Sequence, residues 1–425
     1  MKISTGNLLH AYGPRPGDDM HYPYSVRLVV RMADPVDGGC LRRAMEPTAR
    51  RYPYYCQKLR RQGEEIVLEP NDAPVPVTEG DAPLCLGSPE ANGHLFAAAF
   101  SGDRLYFDMW HGYADGAGMY NVLRTLLYYY CRERYEPELE PGPIRVLGEE
   151  IDPAEAVDPM DALPDVDLSK LPKVERPRSF SPYDADALTP CHRKVYDIQI
   201  PEAPLLRFTS ANDASPGTLV NLFLARAIDS LHPHRDNPIV GGYVMNARPM
   251  LGAPKSPANC VSSMQLEYKD RMKGLDLTTQ ATIYRGMTFL QSDEERVRRT
   301  LLMAAARYRM AAAIPTLAGR QEAFSQFMTM GAGVYTFTVS YVGKGNYGGA
   351  EKYIREFWTH VPTAMPMLIE VAAIHGNIFL SLHQRFEEDL YVRAFLRQFE
   401  ENGIPAKLVH VSAGELPGVV DLGTL

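Results

Sequence analysis

Trp110-His111-Gly112-Tyr113-Ala114-Asp115-Gly116-Ala117-Gly118 is the stretch of this 425-residue chain best suited to chemistry. Histidine exchanges a proton near neutral pH. Here it ends a β-rich apolar run over residues 105–110. Three glycines follow within seven residues, so the backbone can turn tightly and leave space before the ring. An imidazole facing such a space can take a proton from an alcohol or an amine. Asp115 is placed to organise the turn rather than to react. The competing reading of the same residues is a core or turn histidine with no reactive role. A metal site at His111 and Asp115 lacks a third ligand at suitable spacing, so no metal is expected.

The flanking patterns say what must hold that histidine. Residues 25–32 read as a strand, and Leu41, Ala44, Met45 and Thr48 then recur at helical spacing, with Pro47 awkward among them. Residues 94–100 and 105–110 make a hairpin signal around Ser101-Gly102-Asp103-Arg104. An apolar, aromatic helix follows the motif, in which Tyr128, Tyr129 and Tyr130 read as one wet and two buried positions. Farther on come a strand over 194–200, a helix opened by Ser215-Pro216 and a buried strand over 239–245. A long Ala-rich helix follows, capped by Ser292 with Glu295 and interrupted at Pro315. A strand over 334–342, a β pair over 367–374 and 378–383, and a last helix over 388–401 complete the chain. The order strand, helix, strands, helix appears twice. It predicts an α+β protein of two similar-sized lobes, each a mixed β-sheet flanked by helices.

Residues 136–183 differ from both halves. They hold nine prolines and 12 acidic against five basic residues, a net −7. So little apolar surface cannot form a core, so this is a connection, and the organisation predicted is 1–135, 136–190 and 191–425. The whole chain carries −8, so the two lobes are nearly neutral. An acid excess argues against nucleic acid as a partner. The six cysteines are scattered and no C-x-x-C occurs, which suits reduced thiols in the cytoplasm. Residues 1–25 lack a signal-peptide apolar run. The longest uncharged run, 323–343, reads as a helix end, a glycine turn and a strand, not a membrane span.

His111-Gly112-Tyr113-Ala114-Asp115-Gly116 fits the HxxxDG signature of the chloramphenicol-acetyltransferase-like superfamily of CoA-dependent acyltransferases. That superfamily includes condensation domains, BAHD acyltransferases and alcohol acetyltransferase-like proteins. Arg51-Tyr52-Pro53 resembles the end of its first helix. Asn246-Ala247-Arg248-Pro249 with Ala258-Asn259-Cys260-Val261 resembles its Arg-containing strand and later Asn-containing turn, and Thr338-Val339-Ser340-Tyr341-Val342-Gly343 its "sNlG" strand. The resemblance spans nearly the whole chain, and HxxxDG is its specific part. Trp110 stands where condensation domains carry a second His, the BAHD motif DFGWG is absent, and Tyr341 replaces the strand Asn. Asn346 reads as a turn residue within 344–349.

The resemblance implies an active-site tunnel between the lobes. It implies His111 as general base, Asp115 as a structural residue paired with Arg248, and Gly116 as room for a pantetheine arm. Ser340 is the implied oxyanion contact. The implied reaction moves an acyl group directly from a CoA or carrier-protein thioester to a small hydroxyl or amine. Acyl-CoA or acyl-phosphopantetheine is then a co-substrate, with no tightly bound cofactor, and an acyl or peptidyl carrier protein is a partner it allows. The alternative is a non-catalytic condensation-like module that binds a carrier protein or another partner.

Overall fold

The computed structural model describes residues 1–14, 24–168 and 178–425. The first part runs α1 (Leu8–Tyr12), β1 (Ser25–Met32), α2 (Gly38–Arg51), β2 (Gln57–Gln62), β3 (Glu65–Pro70), β4 (Val77–Glu79), β5 (Phe96–Ser101), β6 (Arg104–Trp110) and α3 (Gly116–Arg134). The rest comprises α4 (Pro182–Ala185), β7 (Pro190–Pro201), α5 (Glu202–Ala211), α6 (Pro216–Leu231), β8 (Ile239–Asn246), β9 (Val261–Tyr268), α7 (Leu277–Gln291), α8 (Glu294–Ala312) and α9 (Leu317–Ala332). β10 (Phe337–Lys344), β11 (Ile354–His360), β12 (Met367–Ile374), β13 (Asn377–Phe386), α10 (Leu390–Glu401) and β14 (Lys407–Ser412) close the order.

Two mixed sheets result. One has five strands in the order β11-β1-β6-β5-β4, the other seven in the order β14-β7-β13-β12-β10-β8-β9, and β2 pairs with β3 apart from both. The first is antiparallel except at β4–β5. The second holds a parallel trio, β8, β10 and β12, flanked by antiparallel neighbours. The two-lobed α+β expectation holds.

The sheets are not divided by position in the chain. β11 leaves the second half and pairs antiparallel with β1, placing Val29 opposite Trp358. β1 is buried along nearly all its length, so both its edges need partners. β6 takes one edge and β11 the other. Sequence order could not show this, because β11 follows a long run of second-lobe elements.

The acidic segment is also fastened to the rest of the protein, although residues 169–177 of it lie outside the described residues. Glu155 is buried and takes both guanidinium nitrogens of Arg51 at 2.9 and 3.0 Å. Asp158 accepts from Gly6 N at 2.6 Å, and Met160 and Leu163 bury against Cys260, Val297 and Leu301. Part of the acidic surplus is therefore spent on clamping the segment down.

Local expectations fared unevenly. The hairpin β5–β6 forms with Ser101 opposite Arg104. Ser215 and Thr218 form a capping box on α6. Asn346 accepts from Gly348 N at 3.0 Å, a turn bond. Tyr128 and Tyr130 are buried and Tyr129 is half-buried. The cap expected at Ser292 is a correction. Ser292 still donates its N–H to Thr288 O as the C-cap just past α7, so the cap of α8 is Asp293, which accepts from Arg296 N. Helix α2 continues through Pro47 to Arg51, because Leu41, Ala44 and Met45 bury its inner face. No helix among the described residues is long and apolar enough to cross a membrane.

Candidate active site

His111 follows the last residue of β6 and precedes α3. Its backbone N–H donates to Tyr24 O at 3.1 Å, and its carbonyl accepts from Asn259 Nδ2 at 2.8 Å. Asn259 also donates to Asn7 Oδ1 at 2.7 Å, and Asn7 donates to Tyr113 O at 3.2 Å. The histidine loop is thereby gripped from the chain's start and from the turn before β9. None of the three motif glycines has a positive φ. They serve close approach instead of an unusual turn. A Cβ on Gly112 would meet the Trp110 ring at 2.2 Å, and one on Gly118 would meet Pro257 O at 2.6 Å.

Asp115 caps α3, accepting from Ala117 N and Gly118 N at 3.1 and 3.4 Å. The same oxygen takes Arg248 Nη2 at 2.6 Å, and the other takes Cys260 N at 3.1 Å. Arg248 is buried and also donates to Ser256 O and Ala258 O, each at 2.7 Å. Both carboxylate oxygens are thus committed, and the motif strand, α3 and the loop before β9 are tied at one point. Asp115 raises the Arg248 pKa against the effect of burial.

A cavity of about 430 Å³ opens beside this knot. Its wall comes from both lobes: His111, Gly116 and Tyr120 on one side, Ser340 and Glu370 on the other. Its size is that of a small-molecule site. His111 lines it, and its Nδ1 is buried. Burial lowers the His111 pKa, opposed by a backbone hydrogen bond and the Asp115 charge. The ring is therefore neutral, and ready to accept a proton, at pH 7. Gly116 is on the wall; a Cβ there would sit 3.0 Å from Val342 Cγ2.

The fold thus brings His111, Asp115, Gly116, Arg248 and Ser340 to one cavity. Three neighbours escaped the sequence reading. His10 stacks on His111 with ring centroids 4.3 Å apart, and Tyr24 packs on both rings. Burial, then the neighbouring His111, hold His10 well below its ordinary pKa. Glu370 lies in mid-β12 with its carboxyl on the wall. His10 and Tyr24 stand far from the motif and carry no spacing signal. Glu370 did leave one: an acid within Met367-Leu368-Ile369-Glu370-Val371-Ala372-Ala373-Ile374, an otherwise apolar strand, is out of place.

No family model matches the chain, and no curated protein matches it. Solved structures do. Polyketide synthase associated protein 5 from Mycobacterium tuberculosis is 13% identical with a TM-score of 0.60, covering 93% of this chain and 96% of that one. F. graminearum TRI101, solved with ethyl coenzyme A, is 12% identical with a TM-score of 0.62, covering 96% and 98%. The condensation domain of the monacolin K polyketide synthase MokA is 12% identical with a TM-score of 0.60, covering 94% and 95%. The two-lobed architecture is therefore a fold that this chain shares with these three proteins.

Proposed function

We propose that this protein is an acyltransferase that moves an acyl group from a CoA or carrier-protein thioester to a small hydroxyl or amine acceptor. The observation that carries this reading is a neutral histidine on the wall of a ligand-sized cavity at the junction of the lobes. Nδ1 of His111 is buried, so Nε2 is the nitrogen that takes the acceptor's proton as the acceptor attacks the thioester carbonyl. Asp115 does not react. Held by Arg248, Cys260 N and its own helix, it fixes the loop that aims the imidazole. Gly116 leaves the wall open where a pantetheine arm would pass. Ser340 supplies a hydroxyl for the oxygen on which negative charge develops. The expelled thiolate then receives the proton that His111 took, which restores the base. All six cysteines are free in the fold, which suits a reducing, cytoplasmic setting.

The test is release of free thiol from acyl-CoAs and acyl-carrier proteins, each offered to pooled alcohols and amines. Release should require an acceptor and should collapse in His111→Ala. Full acceptor-dependent activity in that variant would remove the base assignment. A carrier protein held firmly with no release from any loaded acyl group would instead support the non-catalytic module.

A further inference from the structure

Strand β12 alternates cleanly. Ile369, Val371 and Ala373 pack in the core of the second lobe, while Leu368 and Ala372 join the core of the first. Period two therefore turns Glu370 toward the first lobe and into the cavity. In register beside it, on β10, stands Ser340. The phenols of Tyr24 and Tyr120 lie near enough on the opposite wall to sense Glu370 when it is ionised, and Tyr120 itself is tied to Thr359 at 2.7 Å. Burial pushes the Glu370 carboxyl up to about 8, and a hydrogen bond from Ser340 pulls the other way.

A glutamate this buried ordinarily has a cationic partner. Among the described residues, none on the cavity wall supplies one. Arg248 is spent on Asp115 and two carbonyls. His10 and His111 are both held neutral. The remaining wall near Glu370 is phenol, hydroxyl and apolar side chain. The carboxyl is thus a neutral acid in the free protein and a strong anion site for any cation that reaches it.

We propose that Glu370 is the recognition group for a protonated amine, so that the acceptor carries a cationic nitrogen besides the group that attacks. The word acceptor rests on the acyltransferase reading; the ammonium site does not. Binding balances as an exchange: the ammonium enters with its charge, Glu370 gives up its proton to solvent, and an ion pair forms. Affinity for the amine therefore rises with pH until Glu370 is already ionised. Tyr24 and Tyr120 stay protonated throughout, since burial raises both, and His10 and His111 stay neutral.

Binding of phenethylamine and phenethyl alcohol, matched in shape and differing in charge, tests this by isothermal titration calorimetry. The amine should bind about tenfold or more tighter than the alcohol at pH 8. At pH 7, titrations in buffers of different ionisation heat should show close to one proton released per amine bound and none per alcohol. Glu370→Gln should keep alcohol binding, reduce the amine to the alcohol's level and abolish proton release. The proposal falls if the amine does not bind at about 10 mM, a threshold near −3 kcal/mol. It falls equally if amine and alcohol bind alike, if no proton is released, or if Glu370→Gln keeps the amine preference. Proton release is read on the unaltered protein, so it decides even if the variant misfolds. An amine preference without thiol release from any donor would sink the acyltransferase reading and leave this site standing. Thiol release with no amine preference would do the reverse.

Discussion

Arg248→Met is the sharpest test of how the site is held. The guanidinium lies 2.6 Å from Asp115, with the two side chains 3% and 6% exposed. Methionine keeps most of the apolar stem and removes the charge and every donor. Asp115 would then remain as a buried carboxylate with only the N–H groups of Ala117, Gly118 and Cys260. The carbonyls of Ser256 and Ala258 would lose their 2.7 Å donors. Breaking a buried pair from one side costs about 3–5 kcal/mol, and an unsatisfied buried carbonyl about 1–3 kcal/mol. These overlap, so we expect a loss of about 3–5 kcal/mol in all. With a urea slope of roughly 1–3 kcal/mol/M, the midpoint should fall by more than about 1 M. Both tryptophans, Trp110 and Trp358, are buried in the five-stranded sheet, so their fluorescence reports the lobe carrying His111. Asp115→Asn keeps an oxygen for the helix cap and loses the charge and the acceptor for Cys260 N. The double variant should therefore recover part of the sum, a coupling of about 1–3 kcal/mol. A loss below about 1 kcal/mol in Arg248→Met, or strict additivity in the double variant, would refute the knot as the element that fixes the loop.

The other expectations are briefer. His111→Ala should lower kcat/KM by about 10²–10⁴-fold. Burial lowers the His111 pKa, so the acid limb of the pH–rate profile should fall below the ordinary histidine value; a limb above it would contradict the neutral, buried base. Glu370 titrates near 8 in the folded protein against an ordinary 4.5, so its stabilising contribution is whole below 4.5 and lost as pH rises through 8. Glu370→Gln should thus gain on the unaltered protein across that window, by at most about 4–5 kcal/mol in denaturation at pH 8. Gly118→Ala should cost about 1–3 kcal/mol in unfolding, because its Cβ would meet backbone at 2.6 Å. Gly116→Ala faces only Val342 at 3.0 Å and should leave the midpoint nearly unchanged while slowing turnover through a narrower wall.

The readable parts of this sequence were those whose signal is local. β-rich apolar runs and their turn residues gave β1, the β5–β6 hairpin and the β12–β13 pair, and Ser215-Pro216 marked the start of α6. Even the Asp115–Arg248 contact, 133 positions apart, could be named, though only through the family resemblance. What stayed hidden depended on long-range choice. β11 is an ordinary strand by pattern, and nothing in its residues says that it leaves its own half to cover the edge of β1. The hairpin β2–β3 is half charged, Gln57-Lys58-Leu59-Arg60-Arg61-Gln62 on one arm, so its periodicity is faint. His10 reaches His111 only because α1 is carried back across the loop by Asn7 and Asn259, a route no spacing rule encodes.

The cavity treats its two carboxyl groups in opposite ways, and that contrast divides the labour of the site. Asp115 is surrounded by donors and a guanidinium, so both its oxygens are committed and it is immobile and unavailable to a ligand. Glu370 is surrounded by phenols, a hydroxyl and apolar walls, so it keeps its proton and its freedom to pair. Such different surroundings suit different roles, one structural and one open to a ligand in the cavity. Charge-relay duty is a separate question for the histidines. A neutral His111 beside a neutral His10 has no carboxylate at its buried Nδ1, so burial is the main influence on its basicity and the Asp115 charge only opposes it. A base weakened in this way favours an acceptor that arrives already oriented. An ammonium anchored at Glu370 would supply that orientation, placing the attacking group before His111 without asking the imidazole to hold it.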